Sequence, residues 1–254
     1  MKKKSCLFGL LALMLGSCYN ESSSANETNV VLPKSVIYEY SNSPGDNDVV
    51  SITYVGNKIV SAGYTQNDKQ VYTYTGDFIT KIEDFAEEGN ISSTNEFTYE
   101  NGKLKIDLLT EIGIQTYISK SVYTYNTNGT ISFITYSVDS NGIETKKSEG
   151  VLTYLDGNLT QKTEVYQGSS YTKTYEYDVK NNPFKNILGY NLLIDSETST
   201  SLNNVTKLTY VSISNGNTTT TIFNSFYEYN EKDYPLKQTQ TSSSNNDEIT
   251  EYTY

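Results

Sequence analysis

Carboxylates are the only plentiful side chains in this sequence able to carry acid-base chemistry. Glu83-Asp84 and Glu87-Glu88 are adjacent acids, and Asp46 and Asp48 stand two apart in Pro44-Gly45-Asp46-Asn47-Asp48. A carboxylate pair held about 5–9 Å apart could hydrolyse a glycosidic bond. The same Asp/Asn loops offer hard oxygen donors of the type Ca²⁺ takes, but no twelve-residue EF-hand pattern is present. Acids adjacent on a loop are more often simply solvated, so the reading from residues assigns no catalytic residue, no metal ligand and no cofactor.

The missing residue types exclude more than the present ones suggest. There is no His, no Arg and no Trp, and all 19 basic residues are Lys, against 30 Asp and Glu. Without imidazole there is no Ser-His-Asp triad, Cys-His pair or His-ligated zinc. Without guanidinium there is no bidentate fork for phosphate or carboxylate. A chain of net charge -11 without Arg is a poor nucleic-acid ligand, because phosphate neutralisation dominates that affinity.

One residue has a chemistry of its own. Lys2-Lys3-Lys4 precedes an apolar run over 6–15, too short to cross a bilayer, and Leu15-Gly16-Ser17-Cys18 follows. This arrangement resembles a bacterial lipoprotein signal. The resemblance implies a signal peptide over 1–17, cleavage before Cys18, and acylation of the Cys18 thiol and amine. Processing would remove three Lys and Cys6, leaving a more acidic chain with no thiol free for a disulfide. Residues 18–33 then read as the lipidated Cys and a polar, Ser/Asn-rich tether. In enteric bacteria an Asp after the lipidated Cys favours inner-membrane retention. Tyr19 stands there, so the analogy places the anchor in the outer membrane and leaves the leaflet open.

From residue 34 to 254 the sequence repeats. An apolar or aromatic residue, then Thr or Glu, then Tyr recurs ten times, from Tyr38-Glu39-Tyr40 to Tyr252-Thr253-Tyr254, about every 24 residues. Most copies run into a turn and a second apolar alternation: Gly76-Asp77 then Phe78, Asn101-Gly102 then Leu104, Asn128-Gly129 then Ile131, Asp156-Gly157 then Leu159. Asn-Gly and Asp-Gly between β-formers signal hairpins, because type I′ turns need positive φ. The expectation is an all-β, antiparallel meander of repeated β-hairpins. Longer polar connections (84–93, 138–148, 212–220) would link the units. Segment 186–194 breaks the pattern and reads as a turn, a plug or a cap.

Residues two apart share a sheet face, so each repeat puts its aromatics on one face and its Thr or Glu on the other. With 24 Tyr and few aliphatics, Tyr must supply much of the core. Roughly twenty strands exceed what an open twisted sheet accommodates, so the sheet closes into a barrel or curves strongly. A barrel of sixteen to twenty strands has a wet interior, which would suit the Thr/Glu/Lys face. Strands such as 71–74 meet polar or charged residues within a few positions, so a lipid-tethered soluble domain fits better than a spanning barrel.

The Tyr-x-Tyr, Gly turn and apolar return loosely resemble the YD repeats of Rhs-type proteins, although only Tyr177-Asp178 carries the Tyr-Asp pair. The combination of lipoprotein signal and Tyr-rich hairpin repeat over 34–254 is more similar to uncharacterised Bacteroidetes-type lipoproteins described as porin-like in fold. That resemblance implies a barrel-like fold and transfers no functional residue. The functional expectation is a non-enzymatic cell-envelope lipoprotein, held at the membrane through Cys18, that binds a glycan or protein ligand. An envelope structural or assembly component and a carboxylate hydrolase are the alternatives. The Tyr ladder could be a stacking platform or simply the packing face of the repeat.

Overall fold

The computed structural model describes residues 30–254 except 66, 195, 196 and 243–246, and the side chains of 197 and 198 are also left undescribed. The signal segment 1–17 and Cys18 lie outside the described residues. Sixteen antiparallel strands form one closed barrel in sequence order. They are β1 (Ser35–Tyr40), β2 (Asp48–Val55), β3 (Lys58–Gly63), β4 (Lys69–Thr75), β5 (Phe78–Phe85) and β6 (Ile91–Glu100). Then follow β7 (Lys103–Glu111), β8 (Tyr117–Tyr125), β9 (Ile131–Val138), β10 (Glu144–Leu155) and β11 (Asn158–Tyr166). The last are β12 (Ser169–Tyr177), β13 (Val205–Ser214), β14 (Asn217–Tyr229), β15 (Pro235–Ser242) and β16 (Glu248–Thr253). β1 pairs with β16 in register Ser35↔Thr253 to Tyr40↔Glu248, which closes the sheet and removes both edges.

The hairpin turns fall where the sequence puts them. Gly76, Gly102, Gly129 and Gly157 all have positive φ. The long polar connections shrink to five residues at 86–90 and 139–143 and to two at 215–216. β11 turns into β12 through Gln167-Gly168 and β13 into β14 through Asn215-Gly216, both in the left-handed region. Thr/Ser-rich stretches taken as linkers are strand, because β-branched Thr suits the pleated outer surface. The ten Tyr motifs therefore mark fewer strands than twenty. Eight of them end the even-numbered strands, and the copies at 38–40 and 208–210 lie on β1 and β13, which run the other way.

Which face is concave also differs from expectation. The aromatic face points in and the Thr/Glu/Lys face points out. Tyr123, Leu152, Leu159 and Tyr175 are buried in one inner cluster. Lys81 pairs with Glu83, Lys207 with Glu176 and Lys237 with Glu251 on the outer surface. Charges this close to mid-strand interrupt any apolar outer band; a lipid-facing Lys at a bilayer midplane costs about 2–4 kcal/mol.

The Tyr repeat has a structural cause. In five hairpins and in the β12–β13 pair the ladder slips by one residue at the motif's last Tyr: at Tyr54, Tyr74, Tyr99, Tyr154, Tyr229 and, in β12–β13, Tyr177. Each bulge bends the strand and disrupts a ladder hydrogen bond. A Tyr hydroxyl two strands along then donates to a carbonyl at such a bulge. Tyr99 Oη reaches Ile79 O at 2.8 Å, Tyr177 reaches Leu159 O at 2.6 Å and Tyr254 reaches Pro235 O at 2.8 Å. The ladder thus curves the sheet and satisfies the backbone groups that curvature leaves over.

The segment between β12 and β13, residues 178–204, folds into the barrel as a plug. Ile187, Leu193 and Ile194 are buried among inward-facing strand residues. Leu188 N donates to Asn57 O at 2.9 Å, and Tyr74 Oη donates to Leu188 O at 3.0 Å. Asn158 Oδ1 accepts from the amides of Leu202 and Asn203, each at 3.0 Å. The segment 186–194 carries a 3-10 turn at Tyr190–Leu192 and no α-helix. The chain enters at this same end. Asn186 Nδ2 donates to Val31 O, Tyr54 Oη donates to Pro33 O, and Pro33 is buried. The docked chain therefore includes Val31 to Pro33, and the rest of the expected tether lies outside the described residues.

Candidate functional site

The plug makes the barrel a cup. Its closed end carries the turns of β2–β3, β4–β5, β6–β7, β8–β9, β10–β11 and β14–β15, together with the first described residue, Val30. At the other end the described loops are exposed, and several close on themselves, as in Tyr64–Asp68, Ala86–Asn90 and Asp139–Ile143, while Ser41 N donates across to Asp247 O. Strand residues above the plug line the lumen.

Two opposite walls differ in charge. On β4–β7 a cavity of about 300 Å³ is lined by Gln70, Tyr72, Asp84, Asn95, Asp107 and the plug residue Tyr190, among others. Asp84 accepts from Ser93 Oγ at 2.5 Å, and Asp107 from Asn95 Nδ2 at 3.0 Å. On β11–β13 a cavity of about 240 Å³ is lined by Lys162, Glu164, Tyr171, Lys173 and Tyr210. Between them lies a neutral cavity of about 180 Å³ bearing Gln238, Gln240 and Tyr252. A larger space of about 640 Å³ lies at the closed end, among Val30–Leu32, Tyr54, Asn230–Lys232 and Tyr254, where the chain enters.

The acids singled out in the sequence scatter. Glu83 and Asp84 point to opposite faces, Glu83 outward to Lys81 at 2.5 Å and Asp84 inward. Glu87 and Glu88 are exposed in the β5–β6 turn. Asp46 and Glu248 line a rim cavity of about 400 Å³. Asp48 Oδ1 accepts from Val49 N and Thr65 N at 2.8 and 2.9 Å. Desolvation opposes ionisation of Asp48, but the hydrogen bonds from Thr65 and Val49 outweigh it and hold its carboxyl below the usual range. Among the described residues no group of three or more acidic side chains gathers to hold a metal ion. The inward acid pair, Asp84 and Asp107, is 23 positions apart in sequence and was visible only once the strands were paired. Lys162 and Lys173 are directly opposed across β11–β12 and were missed for the same reason.

Burial raises the hydroxyl pKa of the lumen Tyr. Desolvation, joined at Tyr64 by Asp84, pushes Tyr64 and Tyr74 each up to about 12, and Tyr72 higher still. These phenols stay neutral and serve as donors and apolar walls, not as bases. Glu248 at the rim is raised above the usual range by desolvation.

No protein-family model matches the sequence, and no functionally curated protein does. Among solved structures, the chain is similar in fold to a porin-like protein from Bacteroides uniformis ATCC 8492. The match has 9% sequence identity and a TM-score of 0.51, covering 88% of this chain and 97% of that one. At that identity the likeness concerns the barrel architecture alone, and it agrees with the porin-like fold that the Tyr-rich hairpin repeat implies.

Proposed function

We propose that this chain is a non-enzymatic lipoprotein of the outer membrane, anchored through lipid on Cys18, whose barrel is a dead-end cup for a glycan or protein ligand. The observation that carries this reading is the plug. It fills the lumen at the end where the chain enters and leaves the other mouth to its exposed loops. A through-channel would need both ends open; a receptor needs one. Charged residues on the outer face support a barrel that stands off the bilayer. Cys18 stands twelve positions before Val30, a reach of at most about 40 Å, enough to set the closed end near the membrane and turn the mouth away from it. Three acyl chains exceed what stable anchoring requires.

The test is fractionation and protease treatment of cells carrying the wild type or Cys18→Ala, followed by ligand screening of the purified protein. The reading expects membrane-bound wild type, loss of the membrane fraction in Cys18→Ala, and saturable binding blocked by mouth-loop substitutions. Cleavage on intact cells would mean surface exposure; protection until lysis would mean a periplasmic domain. Membrane retention of Cys18→Ala would overturn the anchor. Turnover of a glycoside abolished by Asp84→Asn would overturn the non-enzymatic reading.

A further inference from the structure

Gln238 and Gln240 are inward-facing side chains of β15, on the wall that runs from the plug to the open mouth. Gln238 stands opposite Tyr227 and Gln240 opposite Ser225 on β14; Glu248 on β16 lies beyond Gln240, and Tyr40 on β1 beyond Glu248. One hydrogen-bond network holds both amides. Gln238 Nε2 donates to Ser225 Oγ at 3.1 Å and Gln240 Nε2 donates to it at 3.3 Å. These bonds fill the two acceptor positions of that oxygen. Its own hydrogen goes to the Tyr227 hydroxyl, which donates in turn to Val205 O at 2.8 Å. Tyr252 Oη donates to Gln238 Oε1 at 3.4 Å. Gln238 is thus committed at both its oxygen and its nitrogen, while Gln240 keeps a carbonyl and one N–H without a partner among the described residues. Gln240 also borders two cavities, the neutral one of about 180 Å³ over the plug and the one of about 400 Å³ at the rim. Among the described residues no charged side chain lines the first, whereas Asp46 and Asp247 line the second. Phe184 of the plug meets Tyr252 edge to face, with ring centroids 6.5 Å apart and planes at 71°, and makes an apolar corner at the cavity floor.

We propose, on the reading of the lumen as a ligand cup, that this wall binds a neutral saccharide, with one ring over the plug and its neighbour at the rim. The open edge of the Gln240 amide presents an acceptor and a donor side by side, which suits two adjacent ring hydroxyls. The Phe184–Tyr252 corner offers apolar surface to the C–H face of the ring; aromatic walls with a few fixed polar groups are the usual make-up of a small-ligand pocket. The Ser225–Tyr227 chain holds both amides before a ligand arrives, which lowers the ordering cost of binding. An anionic saccharide fits less well. Asp46 and Asp247 stand at the rim it must pass, and no cation lining the cavity over the plug offsets them among the described residues. An extended peptide fits less well too, since such peptides bind by adding to a sheet edge and the β1–β16 pairing leaves none.

The full-length processed protein in detergent would be titrated calorimetrically at neutral pH with maltotetraose, cellotetraose, mannotetraose, galactotetraose and tetragalacturonate. At least one neutral tetrasaccharide should bind saturably, with affinity nearly unchanged by salt, and tetragalacturonate should bind at least tenfold more weakly. Gln240→Met keeps the length of the side chain and removes its polar groups, so it should weaken that binding about tenfold. Thr239→Ala, on the outer face of the same strand opposite exposed Phe226, should leave it unchanged, with circular dichroism reporting the fold of each variant. The contrast between neutral and acidic sugars uses the wild type alone, so it decides even if Gln240→Met misfolds. Equal or tighter binding of tetragalacturonate, unchanged binding by folded Gln240→Met, or failure of all four neutral sugars would overturn the assignment. Saturable binding of tetragalacturonate alone, blocked by mouth-loop substitutions, would uphold the cup while refuting this pocket. If ligand screening of the wild type also finds nothing, the cup falls with it.

Discussion

Gly189 seats the plug, and replacing it measures how firmly the cup is closed. Its φ is +74°, and an added Cβ would lie 2.5 Å from the Asp77 carbonyl oxygen in the β4–β5 turn. The left-handed conformation costs an L-residue about 1–2 kcal/mol. The contact is with backbone, so relief requires the plug or the hairpin to move, at an overpacking cost of about 1–3 kcal/mol. Gly189→Ala should therefore lose about 2–5 kcal/mol by these two effects. If plug and barrel unfold together, Tm falls by roughly 4–20 °C at about 2–4 °C per kcal/mol. If the plug lifts alone, Tm moves less. The Leu188 amide, bonded to Asn57 O at 2.9 Å, then exchanges its hydrogen about 30- to 5,000-fold faster. Gly168→Ala is the control. Its φ is +82°, with no atom within 4 Å of an added Cβ, so only the conformational cost of about 1–2 kcal/mol applies. Thermal circular dichroism and hydrogen exchange on both variants give the comparison. A Gly189→Ala protein no less stable than Gly168→Ala, with Leu188 exchange unchanged, would show that the plug is not pinned at this contact.

Other perturbations follow from the same geometry. Tyr177→Phe removes the donor to Leu159 O at 2.6 Å and leaves a carbonyl at a bulge unsatisfied, so about 1–3 kcal/mol should be lost in denaturant titration. Asn158→Ala should cost a similar amount or more, since its Oδ1 accepts two plug amides; an unchanged midpoint would mean the plug holds without it. Alkaline pH should unfold the barrel. Tyr64 and Tyr74 titrate near 12 when folded and near 10 when unfolded, so their contribution is complete below pH 10 and is lost as pH rises towards 12. Tyrosinate absorbance should therefore rise together with loss of β-sheet signal; tyrosinate appearing fully in an intact barrel would contradict this. Glu248 works oppositely at the acid end. Its raised carboxyl favours the folded state when protonated, so its share of stability falls as pH climbs from the ordinary Glu range through the folded value. Glu248→Gln should flatten that slope.

Local chemistry was legible in the sequence wherever it is decided locally. Asn101-Gly102 and Asp156-Gly157 announce hairpins because their φ is a property of the turn itself. Alternation around Tyr72-Thr73-Tyr74 and Tyr175-Glu176-Tyr177 fixes strands and divides their side chains between two faces. The absence of His and Arg bounds the chemistry in any fold. Thr-rich segments misled because polar residues belong equally to loops and to a solvated strand face, so turn lengths and strand count came out wrong.

Tertiary structure decided the rest, for one recurring reason: each answer depends on which distant residues meet. Period-two alternation marks two faces without saying which is concave, and the bulges at the Tyr positions curve the sheet around the aromatic one. Closure depends on β1 finding β16, more than 200 residues away. The plug, read from sequence as one of three possibilities, is fixed by contacts such as Tyr74 to Leu188, 114 residues apart. Glu83 and Asp84, adjacent in the chain, are parted by the pleat, while register brings Asp84 and Asp107 to one cavity and sets Lys162 opposite Lys173. Composition and alternation determined what kind of sheet this chain makes; pairing across the barrel decided where its charges converge.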